Sequence, residues 1–183
     1  MQLTDLGLSL AALEPAMDVS AFVVAHEPTL RLAFFVGMLA LIGLWELAAP
    51  RRQPTAPKAL RWAGNLSLVA LDALLLRLAF PLAAVGVAAF GAAHGWGLLH
   101  HVQLPLWVAV PVAVVAMDFV IWLQHVLVHA VPALWRLHRV HHADLDFDVT
   151  TGVRFHPLEI GLSMLVKFIT ITALGPPVLA VVA

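Results

Sequence analysis

Six of the ten histidines in this 183-residue sequence lie between Asp118 and Glu159. Five of them form an H-x-x-x-H pair followed by an H-x-x-H-H triplet: His125 and His129, then His138, His141 and His142. Imidazole is the commonest protein ligand for transition metals, and the ligands of one site must converge in space. The pair and the triplet together therefore predict a metal site, whereas either group alone would be weak evidence.

The spacing within each group suits an α-helix. His125 and His129 are four residues apart, which places both rings on one helical face, one turn apart. The first and last histidines of the triplet have the same separation, and the middle one lies slightly off their face. Pro132 lies between the groups and should end or kink the first helix. We therefore expect two helical elements that meet and could surround two metal ions.

Two further residues are candidates for the same site. Asp118 precedes His125 by seven residues and shares its face, so it could orient a ligating imidazole or bind the metal itself. The alternative for Asp118 is a helix-packing acid. His156 precedes a proline that could open the last helix, so it could ligate metal, support a ligand or simply begin that helix. For the nearby Arg154 and Glu159 we expect a structural role.

Other polar residues are predicted to lie outside the metal site. Asp144, Asp146 and Asp148 alternate with apolar residues, which suggests an extended, solvated loop; the alternative is that one of them supports a metal ligand. A separate set of histidines should lie a membrane thickness away from the main groups and is assigned no metal role: His94, His100 and His101.

The composition indicates an integral membrane protein. Hydrophobic residues make up 62% and charged residues 11%, with a mean hydropathy of +0.94, whereas soluble domains are about half apolar and about a quarter charged. There is no cysteine, so metal ligands must be nitrogen or oxygen atoms. No H-E-x-x-H zinc protease motif, Ser-His-Asp arrangement or glycine-rich nucleotide motif is evident, and no nucleic-acid partner is expected.

We expect an all-α fold with three to four transmembrane helices and the histidine groups at the cytoplasmic face. Apolar stretches occur at about 30–49, 66–90, 105–125 and 158–183, the last being a fourth span or a re-entrant hairpin. Residues 1–28 form an N-terminal lead-in, and residues 29–183 form the membrane domain. Asp72 and Arg77 should face a neighbouring helix or an interface.

The basic residues predict an orientation. The connector at 50–62 carries four of the ten lysines and arginines and no acid, which places it in the cytoplasm by the positive-inside rule. The N-terminus is then non-cytoplasmic. Arg136, Arg139 and Arg154 place the histidine groups on the same side as the connector.

The stretch 118–159 resembles the fatty acid hydroxylase and sterol desaturase superfamily of membrane histidine-box di-iron oxygenases. The matching features are Asp118, Trp122, both histidine groups, Leu134-Trp135 and the tail DLDFDVTTGVRFHPLE. A looser similarity extends over 50–183. The resemblance implies a di-iron centre, in which zinc could take the place of iron. It also implies O2-dependent hydroxylation or desaturation of a lipid C–H bond, with electrons from a cytochrome b5- or ferredoxin-like donor.

One departure from the family leaves alternatives open. Members of the superfamily carry a third histidine box, and no histidine follows His156 here. We therefore expect a C-terminally truncated chain or a degenerate member, which could be inactive. A haem-binding membrane electron-transfer protein and a non-catalytic membrane remnant are the competing interpretations.

Overall fold

The structure is a computed structural model that describes residue 19 and residues 21–182. Helices account for most of this part of the chain, and it contains no strand, so the all-α prediction is confirmed. The helices are α1 (Glu27–Ala48), α2 (Lys58–Ala79), α3 (Ala83–Ala93), α4 (Leu106–Ala130), α5 (Pro132–His142), α6 (Pro157–Leu174) and α7 (Val178–Val182). Most of the predicted lead-in, residues 1–28, lies outside the described residues.

Four helical segments are long and apolar enough to cross a membrane: 27–48, 58–100, 106–130 and 157–174. Their outward faces carry large exposed apolar side chains such as Phe34, Leu78 and Trp107. A water-soluble domain rarely exposes so much apolar surface in one molecule. These features fit a multi-pass membrane protein, and the fourth apolar stretch is long enough to be a span.

The apolar stretch predicted at 66–90 is interrupted. It contains the end of α2 and most of α3, which are separated at Phe80, Pro81 and Leu82. Proline lacks a backbone N–H and disfavours helical conformation in the residue before it. Ala83, which starts the next helix, has a φ of 50°, an unusual value for a residue with a side chain. Pro81 therefore explains why one long helix becomes two.

Helix α6 is the centre of the packing, because it contacts α2, α3, α4 and α5. The core on its C-terminal half is small: Ile171 packs against Ala84 and Ala88 of α3 and against Val181 of α7. Helix α1 lies at the edge of the bundle. The packing therefore positions α2, α4 and α5 around α6.

The C-terminal end of α6 lies against the loop that follows α3. Gly175 ends the helix with a φ of 64°, and a Cβ on Gly97 would lie 2.2 Å from the Gly175 nitrogen. His100 lies at this contact, beside Gly175. An 18-residue helix is roughly 27 Å long, so His100 is about that far from the start of α6.

Candidate metal centre

The first histidine group lies on the last two turns of α4. The ring centroids of His125 and His129 are 4.8 Å apart, as expected for residues on one face. Helix α4 ends at Ala130, Val131 is extended, and Pro132 occupies the first turn of α5. Proline suits the first helical turn, because N–H groups there have no acceptor within the helix and the N–H that proline lacks costs no hydrogen bond. The predicted helix end at Pro132 is therefore confirmed, and α5 packs back against α4.

His138 of α5 completes a three-histidine cluster. Its side chain is fully buried, and its ring centroid lies 4.9 Å from that of His125 and 4.7 Å from that of His129. One ligand nitrogen from each of the three residues lies within 4.8 Å of the other two. Metal–imidazole bonds are about 2.0–2.1 Å long, so the three nitrogens could bind one ion if the rings moved closer together.

Glu159, in the first turn of α6, orients His138. The Oε1 atom of Glu159 lies 2.6 Å from Nδ1 of His138, and both side chains are buried. A carboxylate accepts hydrogen bonds, so Nδ1 carries the proton and Nε2 presents its lone pair. Among the described residues, His138 Nε2 has no hydrogen-bond partner. Sequence reasoning gave Glu159 only a structural role, because no local pattern connects residues 21 positions apart.

The other two histidines of the triplet lie beside this cluster. The His142 ring centroid is 5.0 Å from those of His129 and His138. Burial, followed by the nearby His141 and His138, lowers the pKa of His142, which favours the neutral form that binds metals. His141 stacks on Phe155 at 4.9 Å, and its Nδ1 is buried without a partner in the described part of the chain.

His156 and Asp118 occupy different surroundings. His156 is the N-cap of α6, where its Nδ1 accepts a hydrogen bond from the Leu158 N–H at 3.1 Å. This position agrees with helix entry, one of the three roles considered for it. Asp118 is exposed on α4 and forms no ion pair or hydrogen bond with any described residue. The structure thus brings the five histidines of the two groups together. Asp118 forms no hydrogen bond with His125, His129 or His138.

The prediction that the aspartates after the triplet form a solvated loop is wrong. Arg61 of α2 donates two hydrogen bonds to Asp144, at 2.7 and 2.8 Å, and one to Asp148 at 2.9 Å. Asp146 accepts the backbone N–H groups of Thr55 and Ala56. These partners lie in the connector and α2, more than 80 residues earlier. Alternation of acidic and apolar residues could not reveal them.

These contacts keep the loop's carboxyl groups ionised. The hydrogen bond from Arg61, although opposed by burial, holds the pKa of Asp144 well below its usual range. Backbone N–H groups of Thr55 and Ala56 lower the pKa of Asp146. Burial opposes ionisation of Asp148, but hydrogen bonds from Thr150 and Trp62 outweigh it and lower its pKa. We call these three aspartates and Arg61 the arginine clamp. It fastens the segment after His142 to α2.

We call the five histidines of the two groups the histidine cluster, and this cluster fits a transition metal. Its donors are all imidazole nitrogens, and a buried nitrogen without a partner is costly unless something binds it. Imidazole suits iron, zinc, copper and nickel. His125, His129 and His138 could hold one ion. His141 and His142 are close enough to contribute to a second.

Comparison with known proteins agrees with this chemistry. A family model described as "Fatty acid hydroxylase" matches residues 110–183, which include nearly all of α4, all of α5 and α6, and every residue of the histidine cluster. Searches of curated proteins and of solved structures found no match. Residues 110–183 are therefore similar to a fatty acid hydroxylase domain, in agreement with the superfamily that the two histidine groups indicated.

Proposed function

We propose that the protein is a membrane-bound, iron-dependent oxidoreductase that uses O2 to hydroxylate or desaturate a lipid C–H bond. A hydroxylase- or desaturase-type domain is supported by the family match. The observation that carries the proposal is the setting of His138. It is buried between His125 and His129, its Nδ1 is bound to Glu159, and its Nε2 has no partner in the described part of the chain.

In this proposal the five clustered histidines would supply part of the ligand set of a di-iron centre, because the third histidine box of the superfamily has no counterpart after His156 in this sequence. His125, His129 and His138 bind one ion, and His141 and His142 contribute to the second, for which His156 is a further candidate. The chemistry that iron supplies in such a centre is the activation of O2 for oxidation of a C–H bond. Zinc could occupy the same nitrogens, but it has no redox chemistry.

The protein's own residues prepare and shield the site. The Glu159 carboxylate accepts a hydrogen bond from the Nδ1–H of His138, fixes the orientation of that ring and increases the basicity of its other nitrogen. His138 is closed off from solvent, while His125 and His129 are exposed on α4 beside the apolar side chains of Trp122 and Val126. We propose that a lipid chain approaches these exposed rings from the membrane and excludes water from them when it is bound.

Electrons must come from outside the chain. Hydroxylation inserts one oxygen atom into a C–H bond and reduces the other to water, which consumes an electron pair and protons. The sequence has no cysteine for an iron–sulfur cluster. We therefore propose a separate cytochrome b5- or ferredoxin-like donor. The basic connector supports an orientation with the N-terminus non-cytoplasmic and the histidine cluster at the cytoplasmic face, where such a donor would dock.

Iron content of the purified membrane protein tests the proposal. We expect the wild-type chain to bind iron and His138→Ala to lose it. The matched control is His101→Ala, which removes an exposed histidine from the loop after α3 and should leave the iron content unchanged. Wild-type iron content in His138→Ala would refute the assignment of this cluster.

The competing interpretations give different results in the same preparation. In the described structure the rings of His125, His129 and His138 have centroids 4.7–4.9 Å apart, which leaves no room for a porphyrin between any two of them. A Soret absorption band would nevertheless favour the haem protein. A preparation that binds only zinc, or no metal, and oxidises no lipid would favour the non-catalytic remnant.

A further inference from the structure

A second site lies away from the histidine cluster. A cleft of about 720 Å³ is formed by the end of α1, the residues 50–57 between α1 and α2, the start of α2 and the loop after α5. Its walls include two aromatic side chains, Trp45 and Phe147, and three basic ones outside the arginine clamp, Arg51, Arg52 and Lys58; Arg61 of the clamp also lines it. None of the clustered histidines lines it.

The acidic residues of this cleft are already bound within the protein. Glu46 accepts the backbone N–H of Val149 at 3.1 and 3.2 Å. Asp146 accepts backbone N–H groups of the connector, and Asp148 pairs with Arg61. Each carboxylate therefore has a fixed partner, and none is directed at the cations of the cleft.

The three basic residues have no such partner. Arg51 and Arg52 are exposed, and neither they nor Lys58 forms an ion pair with any described residue. The Lys58 ammonium lies 5.6 Å from the ring centroid of Trp62, a contact that positions it without neutralising it. The lining holds four basic and three acidic side chains, and the three basic ones without an ion-pair partner line the same cleft, so an anion is their complementary ligand.

The position of the cleft indicates where that anion comes from. It lies where α1 ends and α2 begins, between two helices able to cross a membrane. Trp45 is 71% exposed and Phe147 is 78% exposed. Exposed aromatic rings beside arginine and lysine at the end of a membrane helix are typical of the lipid–water interface. A concave site also favours a small group over a flat acidic protein surface.

We propose that this cleft binds the phosphate of an anionic phospholipid from the surrounding membrane. Arg51, Arg52 and Lys58 hold the phosphate, since arginine pairs with phosphate through two parallel hydrogen bonds. Trp45 and Phe147 pack against the glycerol and upper acyl region. The site is separate from the histidine cluster and does not depend on the proposed oxidase activity.

The test compares lipid retention by charge variants of the full chain. The protein is placed in nanodiscs of phosphatidylcholine with a minor fraction of phosphatidylglycerol, and the lipids that remain bound after release are counted by native mass spectrometry. Wild type should retain phosphatidylglycerol in preference to phosphatidylcholine. The double variant R51Q/R52Q should retain roughly thirtyfold less, given an attraction of about 1 kcal/mol between each basic residue and an anionic lipid surface.

Two variants separate this site from general charge effects. R136Q/R139Q removes the same charge from exposed positions on α5 and should retain phosphatidylglycerol as wild type does. R51K/R52K keeps the charge and should retain most of it, and the thermal midpoint of each variant reports whether it is folded. The proposal is overturned if wild type shows no preference for phosphatidylglycerol, if R51Q/R52Q retains it normally, or if both glutamine variants lose it equally.

Discussion

The histidine cluster and the arginine clamp are both polar groups in the described part of an otherwise apolar protein, and they are neighbours in the chain. The clamp is internally paired: Arg61 binds Asp144 and Asp148, and connector N–H groups bind Asp146. The cluster is not, because His138 Nε2 and His141 Nδ1 are buried without partners among the described residues. Paired polar groups stabilise a fold, whereas unpaired ones are retained where a ligand will bind them. We therefore infer that the clamp stabilises the fold, and we propose that the histidine cluster binds a ligand.

The largest effect should come from the triplet. His141→Ala and His142→Ala should each abolish iron loading and lipid oxidation, because each removes a nitrogen donor that no nearby residue replaces. Folding should be little affected, since these nitrogens contribute no hydrogen bond to the described structure. Iron analysis and a lipid oxidation assay measure the loss. His94→Ala, in the loop after α3, is the control. Full activity in both triplet variants would show that the histidine cluster is not needed for the proposed function.

Arg61→Ala should show the opposite pattern, a loss of stability. It leaves the buried carboxylates of Asp144 and Asp148 without their cation, and breaking a buried ion pair costs about 3–5 kcal/mol. Thermal unfolding in a neutral detergent measures the effect. Arg77→Ala removes an exposed arginine from the last turn of the same helix and should change the midpoint little. Equal midpoints for the two variants would show that the clamp does not stabilise the fold.

Glu159→Gln should weaken metal binding without abolishing it. The glutamine amide is uncharged, so the hydrogen bond from His138 Nδ1–H would have a neutral acceptor in place of an anion. Loss of such a carboxylate partner typically costs about 10–100-fold in metal affinity or activity. Competition with a chelator measures the affinity. Asp118→Asn tests the other candidate, which sequence reasoning placed beside His125. We expect Asp118→Asn to lower the metal affinity less than Glu159→Gln does. A larger loss in Asp118→Asn would show that Asp118, and not Glu159, is the carboxylate that supports the metal ligands.

Acid should loosen the clamp. Asp146 and Asp148 have lowered pKa values in the folded state, so their contribution is present above the unfolded value of about 3.9 and is lost as pH falls through the folded value. The thermal midpoint should therefore fall below about pH 4. Asp146→Asn should reduce this dependence. An unchanged pH profile in that variant would mean that Asp146 does not contribute to it.

Local patterns predicted much of the candidate site. The four-residue spacings placed His125 with His129 and His138 with His142 because helix geometry is set within a few residues. Pro132 marked the end of α4 for the same reason. The apolar stretches located the four candidate spans, although the interruption at Pro81 was not anticipated.

Local patterns could not predict contacts between residues far apart in the chain. Two such contacts join Glu159 to His138 and Arg61 to the aspartates. The aspartates were misjudged because alternation describes only the local chain, and their burial depends on where α2 lies.

The sequence by itself determined that the protein is helical, suited to a membrane and equipped with two sets of imidazoles at helical spacing. Hydropathy and helical periodicity are local properties, so they can be read without a structure. Only the tertiary structure decided that the two sets converge, that Glu159 orients His138 and that the acidic loop is clamped by Arg61. Those outcomes depend on how α2, α4, α5 and α6 pack, and packing joins residues that no local spacing relates.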